Sequence, residues 1–134
     1  MNPDLRSIRA RDIMKKEPVW AEAAETVRAA AERMQQRGVR AVLVRGDRDG
    51  DLPGILTGKD IVNLLGSEDA AILDHAHVAD VMTRPAICVP QETNLVDCIQ
   101  LMRMHGVRRV PVVDGVRVVG ILSSSDVFAR ALQR

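Results

Sequence analysis

The chain has 134 residues, 46% hydrophobic and 28% charged, and its 19 Lys+Arg against 18 Asp+Glu leave a formal charge of +1. That length suits one domain or two small units sharing a core, and near-neutrality disfavours nucleic acid and anionic membranes as partners. The start MNPDLRSIRARD is polar and no apolar run reaches bilayer length, which predicts a cytoplasmic protein.

The aromatic side chains are Trp20 and Phe128, so the core must come from Val, Ile, Leu, Ala and Met. Platforms for stacking single-stranded bases are missing. In chain order, an extended piece Val19 to Ala21 precedes a helix from Thr26 to Arg37, whose Val27, Ala30, Ala31 and Met34 share one face. Gly38 suits a left-handed cap. A strand from Val39 to Arg45 follows, then the turn GDRDGD and a second strand ending Gly54-Ile55-Leu56-Thr57. A closing helix starts at Gly58. Residues Gly66 to Val78 form a linker with a short helix expected at Ala70 to Leu73.

The same parts then return. Asp12-Ile13-Met14 recurs as Asp80-Val81-Met82, and Met34, Gly38, Val39 and Arg40 recur at the same offset as Met102, Gly106, Val107 and Arg108. The spacing shortens once, in the hairpin turn, after which Gly54-Ile55-Leu56-Thr57 and Asp60 recur as Gly120-Ile121-Leu122-Ser123 and Asp126. Insertions belong in turns. The second copy reads as Ile87 to Val89 extended, a helix Asn94 to His105, strands Val107 to Val113 and Val116 to Leu122 around Asp114-Gly115, and a helix from Ser124. Each copy is thus β-α-β-β-α, an α/β (α+β) pattern. A lone three-stranded sheet with helices on one face leaves its other face bare, so two copies are expected to pack as a pseudo-twofold pair.

Thr57 and Ser123 are each followed three residues later by a carboxylate, Asp60 and Asp126, which is a helix-start signal. Such a start is expected to hold uncommitted N–H groups and positive dipole for an anion. An ordinary cap explains the same residues, and a cap can also hold a ligand.

In order and spacing these motifs resemble a tandem pair of cystathionine β-synthase (CBS) domains, a Bateman module. The resemblance implies an N-terminal segment 1–10, a first repeat 11–66, a linker 67–78 and a second repeat 79–134. It also implies a regulatory module rather than an enzyme, with no required cofactor, an adenosine-containing ligand (AMP, ADP, ATP or S-adenosylmethionine), a homodimer formed through the closing helices, and a regulated partner protein. One ligand site would combine Ile55, Thr57, Lys59 and Asp60 with Ala86, Ile87, Val107, Arg108 and Arg109. The other would combine Ile121, Ser123, Ser125 and Asp126 with Pro18, Val19, Val39, Arg40 and Ala41. Carboxylates suit ribose hydroxyls and guanidinium groups suit phosphate. Because Ala41 stands where the second copy has Arg109, the Asp60 site is expected to hold a charged nucleotide more tightly.

Other readings are weaker. A ligand-free interaction module would explain the drift at Ala41 and Leu43. Nucleic-acid binding would have to use Arg28, Arg33, Arg37, Arg40 and Arg45. Asp47, Asp49 and Asp51 alternate as in a calcium loop, but Leu52 stands where its glycine and Gly58 where its bidentate glutamate belong, so a solvated turn is expected. His75 and His77 have too few neighbouring ligands for a metal. His105 suits a helix C-terminus, and Pro111 suits a sheet edge or a bulge. The cysteines, Cys88 and Cys98, read as reduced thiols acting as small hydrophobes.

Overall fold

The computed structural model describes residues 2–133; Met1 and Arg134, the outer limits of the expected segments, lie outside the described residues. The chain is a mixed α/β protein made of two compact units, one formed by Val19–Ala86 and the other by the residues up to Pro18 together with those from Ile87 onward.

Three elements lie ahead of the first long helix: a 3-10 turn at Leu5–Ser7, α1 (Ala10–Ile13) and β1 (Trp20–Ala21). The Val19–Ala86 unit continues with α2 (Val27–Arg37), β2 (Ala41–Val44), β3 (Gly54–Thr57), α3 (Gly58–Ser67), α4 (Ile72–His75) and α5 (Val78–Val81). Its sheet has the order β1-β2-β3, with β1 parallel and β3 antiparallel to the central β2. Apolar spacing makes α2 a half-buried helix, and both of its ends are specified: Thr26 Oγ1 accepts from the Ala29 N–H at 3.2 Å, and Gly38 closes it at φ +65°. Val27, Ala30 and Met34 pack on Val42, Val44 and Leu56 with Ile61 and Val78. The linker helix forms at Ile72–His75, slightly downstream of the expected Ala70 to Leu73.

The second unit repeats the plan with β4 (Val89–Pro90), α6 (Leu95–His105), β5 (Arg109–Asp114), β6 (Arg117–Ser123) and α7 (Ser124–Ala131), in the sheet order β4-β5-β6. Asn94 caps α6 and Gly106 ends it, again at φ +65°. The hairpin turn is Gly115-Val116, one residue beyond the expected Asp114-Gly115, with the positive φ carried by Gly115 alone. Its core gathers Val89, Leu95, Cys98, Met102, Val110, Val112, Leu122 and Val127 with Ile8 and Ala10. Met14, Met34, Met82 and Met102 fill gaps in the cores, whereas Met104 is exposed. Of the two settings expected for Pro111, the sheet edge is corrected, because it lies in the central strand, while the irregularity expected of a bulge stands beside it. The proline is tolerated because β4 pairs only with Val112 and Val113, leaving Pro111 past the end of that neighbour, next to a register shift at Val112/Val113.

Two one-turn helices, α1 and α5, end in the Asp-Ile and Asp-Val of the repeated motifs, whose Met14 and Met82 follow as extended C-caps, and each leads into an extended segment that binds a sheet edge. In one unit Lys15 and Ile121 exchange paired backbone hydrogen bonds of 2.9 Å; in the other Thr83 and Ile55 do the same, also at 2.9 Å. The segment up to Pro18 is thereby joined to β6, and the segment Ala76–Ala86 to β3. Further bonds hold these joins, from the Leu95 N–H to the Ile8 carbonyl at 3.0 Å and from the Val78 N–H to the Glu25 carbonyl at 2.8 Å.

Burial pushes the thiols of Cys88 and Cys98 up to about 11, so neither is a ready nucleophile. Glu25 behaves oppositely: the hydrogen bonds from Arg33, including Nη1 to Oε2 at 2.9 Å, hold its carboxyl below the ordinary glutamate range despite partial desolvation. A carboxyl held low in the folded chain contributes stability that is present above its unfolded value and is lost as pH falls through the folded one. Urea midpoints measured between about pH 6 and pH 3 should therefore fall less steeply for Glu25→Gln than for the wild type.

Candidate functional site

Each closing helix begins with the same closed set of bonds. In α3, Thr57 Oγ1 accepts from the Asp60 N–H at 3.2 Å, while Asp60 Oδ2 accepts from the Thr57 N–H and the Thr57 hydroxyl, both at 2.9 Å. In α7, Ser123 Oγ accepts from the Asp126 N–H at 3.2 Å, and Asp126 Oδ2 accepts from the Ser123 N–H at 3.1 Å and its hydroxyl at 2.8 Å. These are complete capping boxes.

The first helical N–H is also committed in each copy, since Gly58 donates to the Arg40 carbonyl at 2.9 Å and Ser124 to the Arg108 carbonyl at 2.8 Å. The expectation of several uncommitted helix-start donors is therefore corrected. The cap takes one, the carbonyl just ahead of the neighbouring strand takes another, and the amides of Lys59 and Ser125 are what the first turn has left. The same bonds draw Arg40 toward Thr57 and Arg108 toward Ser123 within their own units.

Both capping bonds fall on Oδ2, so Oδ1 of each aspartate has no capping role. The two copies treat it differently. Lys15, anchored on Ile121, holds its Nζ 3.8 Å from Asp126 Oδ1. At the equivalent position on Ile55 stands Thr83, and among the described residues no ion pair involves Asp60. In the helix the asymmetry is reversed: Lys59 follows the cap of α3, whereas Ser125 follows that of α7. Each helix start thus has one lysine beside it, supplied by a different element. Sequence reading missed Lys15 because a single pair of backbone bonds between distant residues leaves no periodic trace.

The remaining expected site residues divide as follows. Val19, Val39, Arg40, Ala41, Ile55, Thr57, Lys59, Asp60 and Ala86 belong to one unit, with Val19, Ala41, Ile55 and Ala86 buried and Arg40 and Lys59 exposed. Pro18, Ile87, Val107, Arg108, Arg109, Ile121, Ser123, Ser125 and Asp126 belong to the other, with Arg108 and Ser125 exposed. In the latter unit an open groove of about 390 Å³ runs between α6 and α7, lined by Ile99, Met102, Val107, Val127 and Phe128 with Arg103 and Ser124.

Among the described residues no group of three or more His, Cys, Asp or Glu side chains is placed to hold a metal ion. No helix there is long and apolar enough to cross a membrane. Three of the arginines considered for nucleic acid are already matched by carboxylates: Arg28 with Asp74, Arg33 with Glu25 and Arg45 with Glu22. Arg45 also lies over the Trp20 ring, 4.6 Å from its centroid.

Comparison with known proteins extends this picture. Hypoxic response protein 1 of Mycobacterium tuberculosis is 34% identical over 119 residues, covering 88% of this chain and 81% of that protein. An uncharacterized protein of Methanopyrus kandleri is 26% identical over 125 residues, which are 92% of this chain but 63% of the archaeal one. Among solved structures, the hexameric CBS-CP12 protein from bloom-forming cyanobacteria superposes with a TM-score of 0.86 at 26% identity, over 95% of this chain and 72% of that one. The CBS domain pair of protein MJ0100, solved with 5'-methylthioadenosine and S-adenosyl-L-methionine, gives 0.79 at 26% identity, over 91% and 94%. Hypoxic response protein I, solved with two coordinated zinc ions, gives 0.75 at 32%, over 94% and 100%. The model of the CBS domain matches twice, at residues 10–67 and 78–132, so that each match takes in one Asp-Ile/Val-Met turn and one closed helix start. The chain belongs to the CBS domain family and carries two such domains in tandem.

Proposed function

We propose that this chain is a regulatory module that binds adenine nucleotides (AMP, ADP or ATP) at its two closing-helix starts and passes their occupancy to a partner protein. The observation that carries the reading is the pair of aspartates whose Oδ2 is tied into the cap while Oδ1 is left out of it. An oxygen with free lone pairs on a fixed carboxylate is a ready acceptor for a ribose hydroxyl. Support also comes from the MJ0100 pair, which holds adenosine-containing ligands. Nothing in this role calls for a reacting group, and no cofactor is required.

The Asp60 side is proposed as the tighter one, since its Oδ1 need not be taken from a lysine. Titration calorimetry with AMP, ADP, ATP and S-adenosylmethionine checks both claims. We expect binding by the wild type, with Asp60→Ala weakening the tighter event about tenfold or more, the size of a lost charged hydrogen bond. No heat at millimolar concentrations of any of them would overturn the reading. Tighter residual binding in Asp60→Ala than in Asp126→Ala would reverse the ranking.

The second reading, a ligand-free interaction module, is favoured by one observation. Phe128 on α7 and Leu132 just past its end are exposed, at 68% and 66%, as is Val62 on α3 of the other unit, at 66%, and exposed apolar side chains on closing helices suit interaction surfaces. The two readings share a homodimer through the closing helices. They separate on whether nucleotides bind.

A further inference from the structure

We propose that Lys15 makes the Asp126 side selective for ligands that carry phosphate, while the Asp60 side, with Thr83 in the same place, also accepts neutral adenosine compounds. The inference rests on the nucleotide-binding reading above and names what distinguishes the two sides.

Lys15 is held where it is by its backbone. Its N–H and carbonyl are both bonded to Ile121, two residues before Ser123 on β6, which fixes its Cα beside the start of α7 and lets the ammonium stand 3.8 Å from Asp126 Oδ1. That oxygen is the one the cap does not use. A ribose hydroxyl accepted by Oδ1 must displace or share this ammonium. A neutral ligand offers the displaced lysine nothing in return, whereas a phosphate on the same ligand gives it a new anionic partner.

On the Asp60 side the backbone bonds to Ile55 put Thr83 at the equivalent position, and among the described residues no lysine is ion-paired with Asp60. A neutral ribose therefore meets no competitor. Lys59, exposed and one residue before Asp60, leaves phosphate acceptable on this side without making it necessary.

The test compares AMP with adenosine by titration calorimetry on one side at a time. In an Asp60→Ala background, which leaves the Asp126 side, the preference for AMP over adenosine should fall about tenfold on adding Lys15→Thr, the size of one charge-assisted contact. In an Asp126→Ala background, Thr83→Lys should raise that preference by a similar factor. Circular dichroism melts establish that each variant is folded, and the Thr83→Lys arm decides the matter if Lys15→Thr is not. An AMP preference unchanged in the folded variants overturns the role of Lys15 and leaves the nucleotide-binding reading standing. Failure of both AMP and adenosine to bind the wild type overturns the two together.

Discussion

Leu122→Ala and Leu56→Ala should each lower the free energy of unfolding by about 3 kcal/mol, the largest effects expected of any single substitution described here. The two leucines are repeat equivalents, both fully buried, and each is the next-to-last residue of its sheet's third strand, across from Val110 and Val42 respectively. Around Leu122 stand Val110, Val112 and Val127 with Leu95 and Cys98 of α6; around Leu56 stand Val42, Val44 and Ile61 with Val27 and Ala30 of α2. With next to no aromatic volume in either core, truncation leaves a void ringed by short branched side chains. Those have little reach to fill it. Urea unfolding of the two variants and the wild type checks this, and a loss below about 1 kcal/mol would mean that the surrounding helices collapse into the space.

Gly120→Ala should cost about 2–3 kcal/mol, and Gly54→Ala distinctly less. A Cβ on Gly120 would stand 2.8 Å from the Lys15 carbonyl oxygen and 2.6 and 2.8 Å from Sδ and Cγ of Met14. Methionine can swing aside, but the carbonyl cannot, because Lys15 is bonded to Ile121 on both its N–H and its C=O. At Gly54 the corresponding distances are 3.1 Å to the Thr83 carbonyl oxygen and 3.0 Å to Met82 Sδ, close enough to need only a few tenths of an ångström of adjustment. Denaturant melts give the two costs. Hydrogen exchange should locate the Gly120→Ala damage at Lys15 and Ile121, whose amides lose protection first when that pairing opens.

The helices were legible because their signals are local. Thr26 and Asn94 cap α2 and α6, Gly38 and Gly106 end them, and the apolar spacing between is that of a half-buried helix. The closing helices were equally readable from Thr57…Asp60 and Ser123…Asp126. By contrast α1 and α5 are single turns, too short to show a period, although Asp12 and Asp80 carry a trace of them by accepting from the N–H groups of Arg9 at 2.8 Å and His77 at 3.1 Å. Only the bulge half of the Pro111 reading was legible, because strand order is a long-range property: whether a proline sits at an edge depends on where β4 stops. At the candidate site, residue types were legible and their commitments were not. That the first N–H of each closing helix goes to the Arg40 or Arg108 carbonyl follows from the alignment of two strands, and so does the meeting of Lys15 with Asp126.

The joins of Lys15 to Ile121 and of Thr83 to Ile55 also bear on how such a duplication can be handled as genetic material. The strip that finishes the second copy is encoded ahead of the first copy, and the strip that finishes the first copy is encoded after its own closing helix. A gene severed between the copies would yield two fragments, each lacking or misplacing a finishing strip. Each copy therefore depends on a strip encoded outside its own strand–helix–hairpin–helix run.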